Sequence, residues 1–111
     1  MPLNRLDTLK SLLAQNPQDT FARYGVAMEY VNTGELEKAA AEFETLLAVN
    51  PDYPAGYFHY GQVLEKMGRL EDAAATYKRG IEITTRLGDA HTRSELQQAL
   101  DMLGWRGAEC R

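Results

Sequence analysis

Cysteine is almost missing from this 111-residue chain: Cys110 stands alone beside the end of the sequence, so no intramolecular disulfide can form. The fold does not lean on an oxidising compartment, and no pair of cysteines exists at zinc spacing. Long apolar runs are missing as well. No stretch approaches the ~20 residues that span a bilayer, and the opening Met1-Pro2-Leu3-Asn4-Arg5 has no secretory apolar segment. A cytoplasmic location is expected, with no membrane partner. Basic excess is the third shortage: 12 Lys and Arg stand against 16 Asp and Glu, a net charge of -4. That balance supplies no field to gather phosphates, so no nucleic-acid partner is expected. The phosphate-cradling patterns G-x-x-x-x-G-K-S/T and G-x-G-x-x-G are absent too. No catalytic residue and no cofactor is therefore predicted, and the chain reads as non-enzymatic.

What the chain does contain is repetition. From Gly34 to Pro51 it reads GELEKAAAEFETLLAVNP, and thirty-four residues later Gly68 to Thr85 repeats the skeleton. Gly34 recurs as Gly68, Leu36 as Leu70, Ala39 to Ala41 as Ala73 to Ala75, and Phe43 as Tyr77. The same step carries Asn16-Pro17 onto Asn50-Pro51 and Ala27 onto Gly61. A fixed period in this range marks supersecondary units that bury their apolar faces by stacking.

The period divides one domain, 1–111, into five parts. Leucines 3, 6, 9, 12 and 13 predict an amphipathic half-repeat helix over 2–16, starting at Pro2. They cover roughly half its circumference, more than one neighbour usually takes. Repeat one spans 19–52. Asp19 caps a helix carrying Phe21, Tyr24, Ala27, Met28 and Val31, Gly34 ends it, and a second helix over 35–49 buries Leu36, Ala39, Ala40, Phe43, Leu46 and Leu47. Repeat two spans 53–88, with Pro54 at a helix start and Tyr57, Tyr60, Gly61, Val63 and Leu64 along that helix. Thr85 stands at the position of Pro51, so the stop moves to Gly88 and the helix from Leu70 should be the longest. A closing helix over 89–103 carries Leu96, Ala99, Leu100 and Leu103 in one stripe, and 104–111, with Trp105 and Cys110, reads as a tail.

A small residue midway along a first helix, Gly at the turn, Ala early in a second helix, then an aromatic and a Pro: at these positions the chain resembles the tetratricopeptide repeat family. The resemblance covers about residues 3–103. It implies an all-α solenoid of antiparallel helix pairs in a right-handed superhelix, about six helices in all. Arg23, where the family favours an aromatic, and the poor caps Glu35 and Arg69 depart from the pattern. Ala27, Gly61, Ala39 and Ala73 are small because helix axes must cross at ~8–10 Å.

The resemblance also implies a concave groove lined by the first helices. By register its positions are Phe21, Tyr24, Gly25, Met28, Val31 and Asn32, then Phe58, His59, Gln62, Glu65 and Lys66, then Thr92, Arg93, Leu96 and Gln97. Phe21, Tyr24, Met28, Phe58, His59, Gln62 and Arg93 are the candidate partner-binding residues. A peptide or helix of another protein would insert apolar side chains against them. Phe21 and Tyr24 could instead pack on the first helix. A carboxylate clamp of Lys and Asn, used by chaperone-binding members, is disfavoured, since Tyr24 and Met28 hold the first such positions. His59 has no second His or Cys nearby, and His91 with Glu95 and Asp89 is read as surface pairing or capping, so no metal site is predicted. The alternative function is structural: a homodimer formed through the spare leucine arc of residues 3–13.

Overall fold

The computed structural model describes residues 4–109, with side chains from 4 to 104. Pro2 and Leu3, at the expected start of the first helix, and Cys110 lie outside the described residues. Six α-helices follow one another: α1 (Arg5–Gln15), α2 (Thr20–Asn32), α3 (Leu36–Val49), α4 (Pro54–Lys66), α5 (Leu70–Leu87) and α6 (Ala90–Glu109). Among the described residues there is no strand, so the all-α expectation and the helix count hold. The chain forms two compact units, Met1–Pro51 with α1 to α3 and Asp52–Arg111 with α4 to α6.

In the first unit α1 begins only after Asn4, whose side chain accepts a 2.8 Å hydrogen bond from the Asp7 N–H. An Asn here satisfies a donor that the helix cannot, which sets the start better than Pro2 would. Asp19 does the same for α2, accepting from the Ala22 N–H at 3.0 Å as its position predicted. The α2–α3 pair meets through the small residues: Ala27 and Ala39 are fully buried, with Phe43 and Leu46 beside them in the core. Arg23 adds a polar tie where an aromatic was missing. Its guanidinium bonds Glu42 of α3 at 2.8 Å and the Pro17 carbonyl at 3.1 Å, with little of its side chain exposed.

The α1–α2 contact has a device of its own. A Cβ built on Gly25 would lie 2.9 Å from Leu9 Cδ1, so glycine lets the leucine of α1 press onto the α2 backbone. Leu9 is thereby buried, Leu6 and Leu13 are half-buried, and Leu12 is left exposed. Among the described leucines, Leu9 is thus spent on α2.

The second unit repeats the pair and adds a closing helix. Ala73 and Tyr77 are fully buried, and a Cβ on Gly61 would sit 2.2 Å from Tyr77 Cε1, so the ring occupies the space a side chain would need. The Tyr77 hydroxyl reaches further and donates to the Glu65 carboxylate of α4. Leu96 of α6 is fully buried against Gly80 of α5, where a Cβ would fall 2.9 Å from its Cδ1. Gly34, Gly68 and Gly88 all take positive φ of 72–78° at helix ends, the conformation that stops a helix at least steric cost. Arg69 and Glu35 make no capping bond.

Two expectations are corrected. The backbone of α6 remains helical to Glu109, so the tail predicted from Gly104 is helix up to that residue. With 20 residues α6, not α5 with 18, is the longest helix. The polar and small residues after Leu103 offer no apolar stripe to reveal this from sequence, and glycines at 104 and 107 argued the other way.

Candidate functional site

The candidate residues fall on three helices, α2 in the first unit and α4 and α6 in the second. On α2, Phe21 is 72% exposed, Tyr24 and Met28 are half-buried, and Val31 follows one turn on, also half-buried. Phe21 does not pack on α1. Tyr24 does pack, but inward along the pair: its ring meets Phe43 of α3 edge-on, with centroids 6.4 Å apart. One side of that ring is core and its margin is surface. Gly25, placed by register among the same residues, is turned to α1 and belongs to the Leu9 seam.

The cations near this face are engaged. Arg5 pairs with Glu29 at 3.1 Å, Arg23 with Glu42, and Lys38 with Glu35 at 3.0 Å. Lys10 lies 5.6 Å from the centre of the Tyr30 ring, and its hydrogen bond to Tyr30 lifts its pKa above the ordinary lysine value. The α2 face therefore presents rings, a thioether and a valine, with no uncommitted positive charge among the described residues of its unit.

On α4, Phe58 and His59 are half-buried and Gln62 is exposed. The two rings meet edge-on, with centroids 5.3 Å apart. Burial pushes the His59 imidazole below its ordinary pKa, while Glu95 of α6 pulls the other way. Glu65, further along, is occupied by Tyr77.

On α6 the register expectation does not carry over. Leu96, predicted to line the groove, is core. Arg93 lines a hollow with Thr84, Thr85, Gly88 and Ala90 at the α5–α6 corner, and a second with Ala90, Ser94, Gln97 and Gln98. The reason is a slip in phase. Thr20 to Pro54 is a step of 34, but Pro54 to Ala90 is a step of 36. Two extra residues turn a helix by about 200°, which sends the position 34 after His59 to another flank. Glu95, six residues into α6 as His59 is into α4, is the carboxylate whose charge acts on the histidine. The length of α5 was read from the sequence, and carrying it into the register would have found Glu95.

Comparison with known proteins places these features. Residues 24–91 match the tetratricopeptide repeat family. A TPR repeat-containing protein of Pseudomonas aeruginosa is 24% identical over 91 residues, which is 82% of this chain and 87% of that protein. A tetratricopeptide repeat domain protein from Salinibacter ruber, solved by NMR, is 38% identical with a TM-score of 0.75, over 79% of this chain and 89% of that one. PcrH, crystallised in complex with the chaperone binding region of PopD, aligns with a TM-score of 0.86 at 14% identity, over 92% of this chain and 77% of that one.

Proposed function

This chain belongs to the tetratricopeptide repeat family, and on that premise we propose that it is a non-enzymatic binding module that docks a peptide or helix of another protein, with the exposed face of α2 as the candidate site. The observation that carries the reading is Phe21: a ring 72% exposed, with Tyr24 and Met28 continuing the same helix face toward half-buried Val31. A phenylalanine so placed loses little by being covered and gains ~25 cal/mol for each Å² of apolar surface removed from water. Met28 adds an unbranched, adaptable contact beside it. The PcrH complex supports the reading as a case in which the same fold is found with a segment of another protein.

The partner surface should be apolar in the main. Tyr24 and Met28 stand where a carboxylate clamp would need polar donors, and the nearby cations already have partners within the fold. The protein works, on this reading, in the cytoplasm as a scaffold.

Affinity capture from native lysate, with Phe21→Ala and a Met28→Ala, Phe58→Ala double variant as controls, tests it. Each variant should keep the wild-type helical circular dichroism and lose at least about tenfold in affinity for the captured protein, the loss typical of truncating a docking anchor. Full retention of binding by all the variants would reject this face as the site.

A further inference from the structure

One flank of α6 has no neighbour among the described residues, although its place in the repeat calls for one. The step of 36 that carries Pro54 onto Ala90 also carries Tyr57 onto Arg93, Phe58 onto Ser94, Gly61 onto Gln97 and Gln62 onto Gln98. On α4 this flank is packed against α5: Tyr57 and Gly61 are buried, Tyr57 lies against Gly80, and Gly61 receives the Tyr77 ring. On α6 the same flank is open. Ala90, Arg93, Ser94, Gln97 and Gln98 are all exposed, and they line a hollow of about 260 Å³. Their spacing of i, i+3, i+4, i+7 and i+8 is the one by which a helix packs on a neighbour.

The chemistry of the flank says what fits it. Where α4 offers a ring and a bare backbone, α6 offers a guanidinium, a hydroxyl and two carboxamides. Among the arginines with described side chains, Arg5, Arg23, Arg69, Arg79 and Arg86 each pair with a carboxylate, and Arg93 pairs with none. Nearby acids are spent elsewhere. Asp89, one turn before Arg93, accepts from the Thr92 N–H at 3.1 Å, and Asp101 accepts from Gln97 Nε2 at 3.0 Å. A solvating cap needs a polar surface, but it does not need an unpaired guanidinium in the groove of a packing face.

We propose that this flank is a second docking surface, separate from α2, which takes an acidic helix of another protein and sets one of its carboxylates on the Arg93 guanidinium. The planar guanidinium matches a carboxylate with two parallel N–H···O bonds, and Ser94 and Gln98 offer hydrogen bonds beside it. Asp89 and Asp101 remain negative on either side, so the incoming carboxylate is confined to the stretch between them. The hollow takes side chains of the partner and not its backbone, which stays at the ~8–10 Å axis separation of packed helices. A basic helix would set like charges together, and an apolar one would strip water from Arg93 without replacing it.

The α2 reading can fail without touching this one, and the test uses the free protein with defined probes. Isotope-labelled protein is titrated with two hydrocarbon-stapled, Ala-rich helical peptides, about four turns long, one with Glu and the other with Lys at every fourth position of the face opposite the staple. In NMR spectra the Glu peptide should shift the Arg93 Nε–Hε resonance and the amides of Ala90, Ser94, Gln97 and Gln98, saturably, and the Lys peptide should not. Arg93→Gln should weaken binding of the Glu peptide by about tenfold, the loss typical of removing a charge-assisted bond. Arg93→Glu should transfer the preference to the Lys peptide. Both variants should keep the wild-type helical circular dichroism, because the side chain is exposed. Absent shifts with the Glu peptide, an equal response to both peptides, or full affinity in Arg93→Gln would overturn the proposal. Shifts centred on Phe21, Tyr24 and Met28 would move the acidic helix to α2 and overturn it as well.

Discussion

A methyl group added at Gly61 would meet Tyr77, a fully buried ring anchored by its hydroxyl to Glu65. The ring cannot retreat without breaking that bond, so Gly61→Ala should destabilise the protein by about 1–3 kcal/mol through overpacking. Gly34 has open space around its missing Cβ and a φ of +78°, so Gly34→Ala should cost about 1–2 kcal/mol through backbone strain alone. The two losses are of similar size and of different origin. Urea midpoints of a double-mutant series separate them: Tyr77→Leu should recover part of the Gly61→Ala loss and none of the Gly34→Ala loss. If Tyr77→Leu adds independently to both, the packing account of Gly61 fails. Both glycines were legible in the sequence because the period sets each beside a copy. Gly25 and Gly80 were not. Their periodic counterparts are His59 and Leu46, so nothing in the repeat signals that Leu9 or Leu96 will press on a bare backbone there.

Helix α5 owes its length to the exchange of a proline for Thr85 at the position of Pro51. Its last turn then carries Arg86 to Asp52 at the head of α4, and Gly88 in a left-handed conformation closes it. Thr85→Pro should withdraw one backbone bond and clash with the preceding turn, at a cost of up to about 3 kcal/mol. Far-ultraviolet circular dichroism should show less helix, and the Arg86–Asp52 pairing should become irrelevant, so that Arg86→Ala no longer matters in the Thr85→Pro background. An unchanged helical signal would mean that α5 absorbs the proline as a kink. The same extension explains why the candidate site was only partly legible. The start and end of α5 were both read correctly, yet register was carried past it at the unshifted period, and Leu96, expected to line the groove, is core. Element boundaries and element phase are separate quantities, and an insertion that preserves the first can spoil the second.

Charge is distributed differently in the two units, and the whole molecule should show it in how binding responds to salt. Residues 1–51 contain four Lys and Arg against seven Asp and Glu, while 52–111 contain eight against nine. In the first unit each of the four cations already has a carboxylate or a tyrosine ring beside it. A partner that docks on Phe21, Tyr24 and Met28 therefore meets rings and a thioether, and ionic strength has little to screen there. Raising salt from about 0.05 to about 0.5 M should change the dissociation constant by less than about threefold, because contacts between uncharged groups do not depend on the Debye length. A carboxylate held by lysines would behave otherwise, weakening progressively over the same range as its attraction is screened. Isothermal titration at several salt concentrations with the captured partner decides between them. An affinity that drops tenfold or more would point to an ionic contact and away from the α2 face, with the unpaired charges of the second unit the place to look next.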